Sequence, residues 1–314
     1  MSEKFFLGID MGGTSIKMAV VDSNANIIDI ASIPTKIELK PEVVLEQIAD
    51  SVIKLKSYNK VKTIGFGVAG DIDCEKGILR YAYNLPKWKK TPIKDILQKR
   101  LEKKVYIDND ANTAALGAFW LDTKGKSENL ICVTLGTGVG GGIIINKKLY
   151  KGTSYSAGEI GHLTIKYDGT PCNCGNIGCV EAYLGAKNLA KYAAQYVKEK
   201  GSAIIKNLTK GDYLKINPEI LYKAAMKKDK TALEIWEYTG KLLGILLANI
   251  VNFLNPDTIV LCGGVSGAKR FISKTAKDEM CKRGFKTPVK VCKVIYSKWT
   301  GKLGVVGAAM LANQ

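Results

Sequence analysis

The sequence predicts a mixed α/β fold built twice over, as two similar domains facing each other across a cleft. One pattern occurs in both halves: "FFLGIDMGGTSIKMAVVDSNANII" (5–28) runs strand, glycine turn, strand, polar turn, strand, and "NLICVTLGTGVGGGIIINKKLY" (129–150) repeats that order at similar length. Both halves then alternate helical segments with short apolar strands, the signature of layered α/β architecture. A chain of 314 residues with 46% hydrophobic content and only eight prolines is long enough for two compact domains of ordinary size.

The elements follow in order. Each repeat opens with an apolar strand that ends in a polar residue, Asp10 or Thr134, followed by glycines with a threonine: Gly12, Gly13 and Thr14 in one, Gly136, Thr137 and Gly138 in the other. "TIGFGVAGDID" (63–73), "KVYIDNDANTAALGAFW" (104–120) and "TIVLCGGVSGAKRFI" (258–272) each read as a buried strand feeding a loop and then a helix. The stretch from Leu242 to Pro256 is shorter than a bilayer span and contains Asn249 and Asn252, so it predicts a buried helix and no membrane segment. The first half closes near residue 115. Domains of 1–115 and 116–301 follow, with the glycine turns lining the cleft between them.

Composition narrows the function classes. The net charge is +18, but 43 of the 47 basic residues are lysine, whereas base recognition favours the bidentate fork of arginine. A solvated lysine surface that attracts anionic phosphates is the better reading, and no nucleic-acid partner is expected. "FFLGI" begins within four residues of Met1 with no basic leader or cleavage site, so a cytoplasmic location is expected.

In that reducing setting, "CNCGNIGCVEA" (172–182) reads as thiolate ligands rather than a disulfide knot. With His162, the only histidine, the spacing is His-x9-Cys-x-Cys-x4-Cys. Three thiolates and one imidazole from His162, Cys172, Cys174 and Cys179 make a closed tetrahedral set that suits a structural zinc ion. Gly175 and Gly178 sit where a ligand knuckle needs tight turns; free thiols beside an unrelated histidine are the alternative. The other five cysteines, Cys74, Cys132, Cys262, Cys281 and Cys292, are scattered and read as small buried residues.

The glycine turns expose backbone N–H groups, and two such loops could hold a polyphosphate between them, with Asp10 orienting a phosphate-bound magnesium through water. Neither is a P-loop, and a plain glycine hairpin is the competing reading. "LCGGVSG" (261–267), with Gly263 and Gly264, adds a strand-to-helix turn suited to a phosphate or nucleoside.

"GIDMGGTSIK", "YIDNDANTAALGA", "AGEIGH" and "CNCGNIGCVE", in this order and at these separations, resemble the ROK family of sugar kinases and repressors, most closely its glucokinase-like members. The resemblance covers nearly the whole chain, and its cysteine motif is the most specific part. It implies a duplicated actin-like ATPase (ribonuclease H-like) fold and an ATP-dependent hexose kinase acting at the 6-hydroxyl. The substrate implied is glucose, with N-acetylmannosamine or another hexose next and a non-catalytic sugar sensor last. Asp110 then resembles the family's general base, although a strand-to-helix junction also commonly places an aspartate as helix N-cap. Asp108 looks non-catalytic by the same matching.

Further roles follow from the resemblance. Gly70, Asn84, Asn109, Glu159, His162 and Glu181 would surround the sugar, His162 ligating zinc through one ring nitrogen and facing the sugar with the other. Asp10, Gly12, Gly13, Thr14, Lys17, Thr137, Gly138, Gly263, Gly264 and Gly304 would hold ATP and magnesium. The terminal segment 302–314 would be a helix packed back on the first domain, with Gly304 near the adenosine, and a homodimer is expected. Tyr155 and Ala69 depart from the family pattern near the sugar. The family's repressors carry an N-terminal winged helix-turn-helix, which is not expected here because the first strand begins at Phe5, and around the cysteine motif Glu159, Asp168 and Glu181 outnumber Lys166.

Overall fold

The computed structural model describes residues 4–82 and 85–313. Strand β1 (Phe5–Met11) pairs antiparallel with β2 (Ser15–Asp22), and β2 with β3 (Ile27–Pro34). After helix α1 (Pro41–Ile53), β4 (Val61–Val68) joins the other side of β1 in parallel. A small hairpin, β5 (Asp71–Asp73) and β6 (Ile78–Tyr81), and helix α2 (Ile93–Leu101) come next. Then β7 (Lys104–Asn109) adds in parallel to β4 and runs directly into α3 (Asp110–Leu121). The sheet order is β3-β2-β1-β4-β7.

The second repeat supplies β8 (Leu130–Leu135), β9 (Val139–Ile145) and β10 (Lys148–Tyr150). Helices α4 (Glu181–Leu184), α5 (Ala186–Lys200), α6 (Ala203–Thr209), α7 (Pro218–Met226) and α8 (Lys230–Leu254) follow. The chain continues through β11 (Thr258–Cys262), α9 (Lys269–Arg283), α10 (Lys286–Val291), β12 (Lys293–Tyr296) and α11 (Leu303–Leu311). The second sheet has the order β10-β9-β8-β11-β12, the same sequence of hairpin strands and crossover strands as the first.

Two compact units result: one comprises residues 1–132, 142–158 and 299–314, the other 133–141 and 159–298. In the first unit, β1 is almost wholly buried because both faces of its sheet are covered, which is why it reads as a continuous apolar run. Alternation along β1 divides two cores. Phe5, Leu7 and Ile9 join Val44, Leu45 and Ile48 of α1 and Leu97 of α2, while Phe6 joins Val305, Val306 and Ala309 of α11. Helix α11 lies so close to the sheet that a Cβ on Gly65 would sit 1.7 Å from the Ala308 carbonyl oxygen, and one on Gly8 1.9 Å from that of Val305.

Three details differ from the sequence reading. "TIGFGVAGDID" leads into the β5–β6 hairpin instead of a helix. The backbone turns at Gly70 with φ at +135°, and Arg80 then ties the strands by reaching Asp71 at 2.9 Å and Asp73 at 3.3 Å. The buried helix at 242–256 is the second half of α8, which starts at an Asp229 cap and stops at Asn255, in the left-handed conformation before Pro256. Of the scattered cysteines only Cys132 and Cys262 are buried; Cys281 is exposed. Among the described residues no helix is long and apolar enough to cross a membrane.

Candidate active site

The first unit brings three sequence-predicted groups to one edge. Because β1, β4 and β7 are mutually parallel, their carboxyl ends emerge together, and they carry Asp10, Gly70 and Asn109–Asp110. The cap of α3 is Asn109, not Asp110: its Oδ1 accepts the Ala111 N–H at 2.8 Å while its Nδ2 donates to the Gly70 carbonyl at 3.1 Å. Asp110 is the first helical residue. It lies near enough to Asp10 for its charge to add to burial in pushing the Asp10 carboxyl up to about 6, against the pull of Lys17.

The first glycine hairpin is braced from β3. Thr35 Oγ1 donates to the Gly12 carbonyl at 2.7 Å and Thr35 N–H to Thr14 O at 3.0 Å, with Gly12, Gly13 and Thr14 exposed. Lys17 is turned toward the segment before α11, its Nζ donating to the Gly301 carbonyl at 2.8 Å. Gly304, in the first turn of α11, packs on Asp10; a Cβ there would lie 2.5 Å from Asp10 Oδ2. Asn84 lies outside the described residues.

In the second unit, Glu159 introduces a 3-10 turn, Ile160–His162. His162 directs Nδ1 toward Cys172 Sγ at 3.8 Å and Nε2 toward Glu159 at 3.9 Å, and Cys174 and Cys179 Sγ are 3.7 Å apart. One ligand atom from each of His162, Cys172, Cys174 and Cys179 falls within 4.8 Å of all the others. Sulfur ligands about 2.3 Å from a tetrahedral zinc stand about 3.8 Å apart, so the four residues fit that ion. The knuckle closes where the sequence places its glycines: Gly175 and Gly178 have φ of +91° and +74°, and the Cys172 N–H reaches the Asn176 carbonyl at 2.8 Å. Without metal, burial raises the Cys172 thiol and pushes Cys179 up to about 12, while the Asn176 backbone N–H lowers Cys174.

Glu181 reaches further than its place beside Cys179 implies. Its Oε2 accepts the Val139 N–H at 2.9 Å, and a Cβ on Gly138 would come within 2.2 Å of the same oxygen. The carboxylate therefore ties the second glycine loop to α4. That loop opens on a cavity of about 530 Å³ lined by Gly136, Thr137, Ala186, Asn217, Pro218, Tyr222, Trp236, Gly264 and Val265. Gly263 makes the turn beside it with φ of +92°. Thr137 and Gly264 are legible in the sequence, whereas the wall from α7 and α8 is not. An apolar wall needs only shape, and Asn217-Pro218 reads as nothing more than a helix start.

A model of the ROK family matches residues 6–314. A glucokinase of Halalkalibacterium halodurans is 38% identical over 284 residues, covering 88% of this chain and 85% of that protein. An N-acetyl-D-glucosamine kinase of Citrobacter koseri is 31% identical over 272 residues, covering 83% and 84%. The crystal structure of a ROK family glucokinase from Streptomyces griseus, in complex with glucose and AMPPNP, matches with a TM-score of 0.85 at 30% identity over 99% of both chains.

Proposed function

Because the chain belongs to the ROK family and has its duplicated actin-like α/β fold, we propose that it is an ATP-dependent sugar kinase that phosphorylates the 6-hydroxyl of glucose. The observation that carries the reading is the common edge of β1, β4 and β7, which sets Asp110 beside Asp10. Phosphoryl transfer asks the protein for alignment and charge stabilisation more than for covalent chemistry. Asp110 accepts the proton of the 6-hydroxyl as that oxygen attacks the γ-phosphorus, and ADP leaves.

Asn109, Gly70, Glu159, His162 and Glu181 orient the sugar, and Asn84 joins them by family resemblance. The amide of Asn109 is partly engaged as the α3 cap, so its contribution to the sugar is a positioned backbone and the remaining amide hydrogen. Gly12, Gly13, Thr14 and Lys17, with Thr137, Gly138, Gly263, Gly264 and Gly304, serve ATP, and the 530 Å³ cavity beside Thr137 takes the nucleoside. Asp10 fits a magnesium ion: a half-buried carboxylate facing a second carboxylate is relieved by a cation, which would supply charge neutralisation to the phosphates. A zinc ion on His162 and the three cysteines would brace Glu159 and Glu181 rather than react.

The N-acetyl-D-glucosamine kinase similarity favours a second reading, an N-acetylated hexose such as N-acetylmannosamine. ATP consumption with magnesium across glucose, mannose, fructose, N-acetylglucosamine and N-acetylmannosamine decides between them. Turnover with glucose well above the others is expected. Sugar binding without turnover of any of the five would refute the kinase reading and leave a sensor.

A further inference from the structure

A charged cluster below the proposed base is used by none of the chemistry above. Asp108, in β7, has a side chain only 1% exposed, and Lys151 Nζ stands 2.7 Å from its Oδ2. Its Oδ1 accepts two hydrogen bonds at 2.8 Å, from the Asn109 N–H and from Asn112 Nδ2. One carboxylate thus spans the strand end and the first turn of α3, the four residues that include Asp110. Cys74 completes the surround, its thiol pushed up to about 12 by burial and by the Asp108 charge.

Lys151 comes from a different part of the chain, just after β10. The Ala157 N–H returns to the Lys151 carbonyl at 2.9 Å, closing residues 151–157 into a compact loop. Tyr155 in that loop holds φ at +67°, a region that costs a non-glycine residue of order 1 kcal/mol and persists only when neighbours impose it. The Glu75 carboxylate, between β5 and β6, raises the pKa of the Tyr155 phenol. Lys151 therefore fastens the loop to β7.

We infer that Lys151 is a positioning residue for phosphoryl transfer: its ammonium locks the Asp108 carboxylate, which in turn fixes the Asn109–Asn112 turn presenting Asp110, and so couples that turn to the 151–157 loop. The inference rests on the proposed roles of Asp110 and Asn109. A buried carboxylate stripped of its cation is strongly destabilising, whereas a neutral pair of similar shape is tolerated, so stability and positioning can be separated.

The test compares the full-length enzyme with Lys151→Met, Asp108→Asn and the double variant, reading Tm, kcat, and KM for sugar and for ATP well below each Tm. Lys151→Met is expected to lower Tm and to cut kcat/KM for sugar about tenfold to a hundredfold, as a misplaced reacting group does, with KM for ATP within about twofold. The double variant is expected to regain most of the Tm but not kcat/KM, because the neutral pair no longer links the loop to the turn. Recovery of both would overturn the inference and leave a purely structural ion pair, as would near-normal kcat/KM in Lys151→Met. Should Lys151→Met fail to fold, the double variant and Asp108→Asn carry the same comparison. Asp110→Asn is measured alongside; unimpaired turnover there refutes the base itself, a failure read on a different variant from failure of the clamp.

Discussion

Asp10→Asn should stabilise the ligand-free protein while removing its activity. Burial, then the charge of Asp110, raise the Asp10 carboxyl from the usual 3.8 to about 6, with Lys17 offsetting part of the rise. A raised carboxyl binds a proton more tightly in the folded chain than in the unfolded one. Its contribution to stability is therefore fully present below about pH 4 and is lost as pH rises through about 6. At 1.36 kcal/mol per pH unit the loss is complete by pH 7.5 and amounts to about 3 kcal/mol, with roughly half of it already incurred at pH 5. Asparagine cannot ionise and keeps nearly the same shape. Denaturant unfolding of both proteins at pH 7.5 and pH 5, without nucleotide or magnesium, should show a gain of about 3 kcal/mol at the higher pH and roughly half that at the lower. Equal gains at the two pH values, or a loss at pH 7.5, would show that Asp10 is not held against its charge and that the crowding with Asp110 is wrong. A variant that is more stable yet inactive in the sugar-dependent ATPase assay is the pattern expected where charge is stored for a cation.

Asp110→Asn should lower kcat by about 10²–10⁴ while sugar affinity, measured by calorimetry, changes little; near-normal turnover would remove it as base. Cys174→Ser should release the metal and weaken sugar binding, and elemental analysis that still finds one zinc per chain would contradict the ligand set. Gly65→Ala should cost about 3 kcal/mol or more, because the new methyl would lie 1.7 Å from the Ala308 carbonyl oxygen and α11 would have to lift off the sheet; an unchanged Tm would show that the helix packs more loosely.

Much of the site was legible in the sequence because its signals are local. The ligand spacing of the cysteine motif, the glycines that turn the knuckle and the strand that delivers Asp110 all lie within short windows, where periodicity and turn chemistry act directly. What went unread depended on neighbours distant along the chain. The choice of Asn109 over Asp110 as cap follows from the Gly70 carbonyl that receives its amide, and Glu181 belongs to the second glycine loop because Val139 N–H meets it across 42 residues of sequence separation. Likewise, "TIGFGVAGDID" became a hairpin because Arg80 pairs with Asp71 and Asp73.

Local patterning is enough to fix the strand, turn and strand of each repeat and the chemistry that each motif offers, since alternation along a strand dictates which residues face a core. Which groups meet depends on long-range packing: Gly304 against Asp10, Lys151 on Asp108, and the α7 and α8 wall beside Thr137. A hydrophobic pattern names a buried face without naming what will cover it, so the partners are set by the path of the chain through parallel crossovers rather than by any single segment.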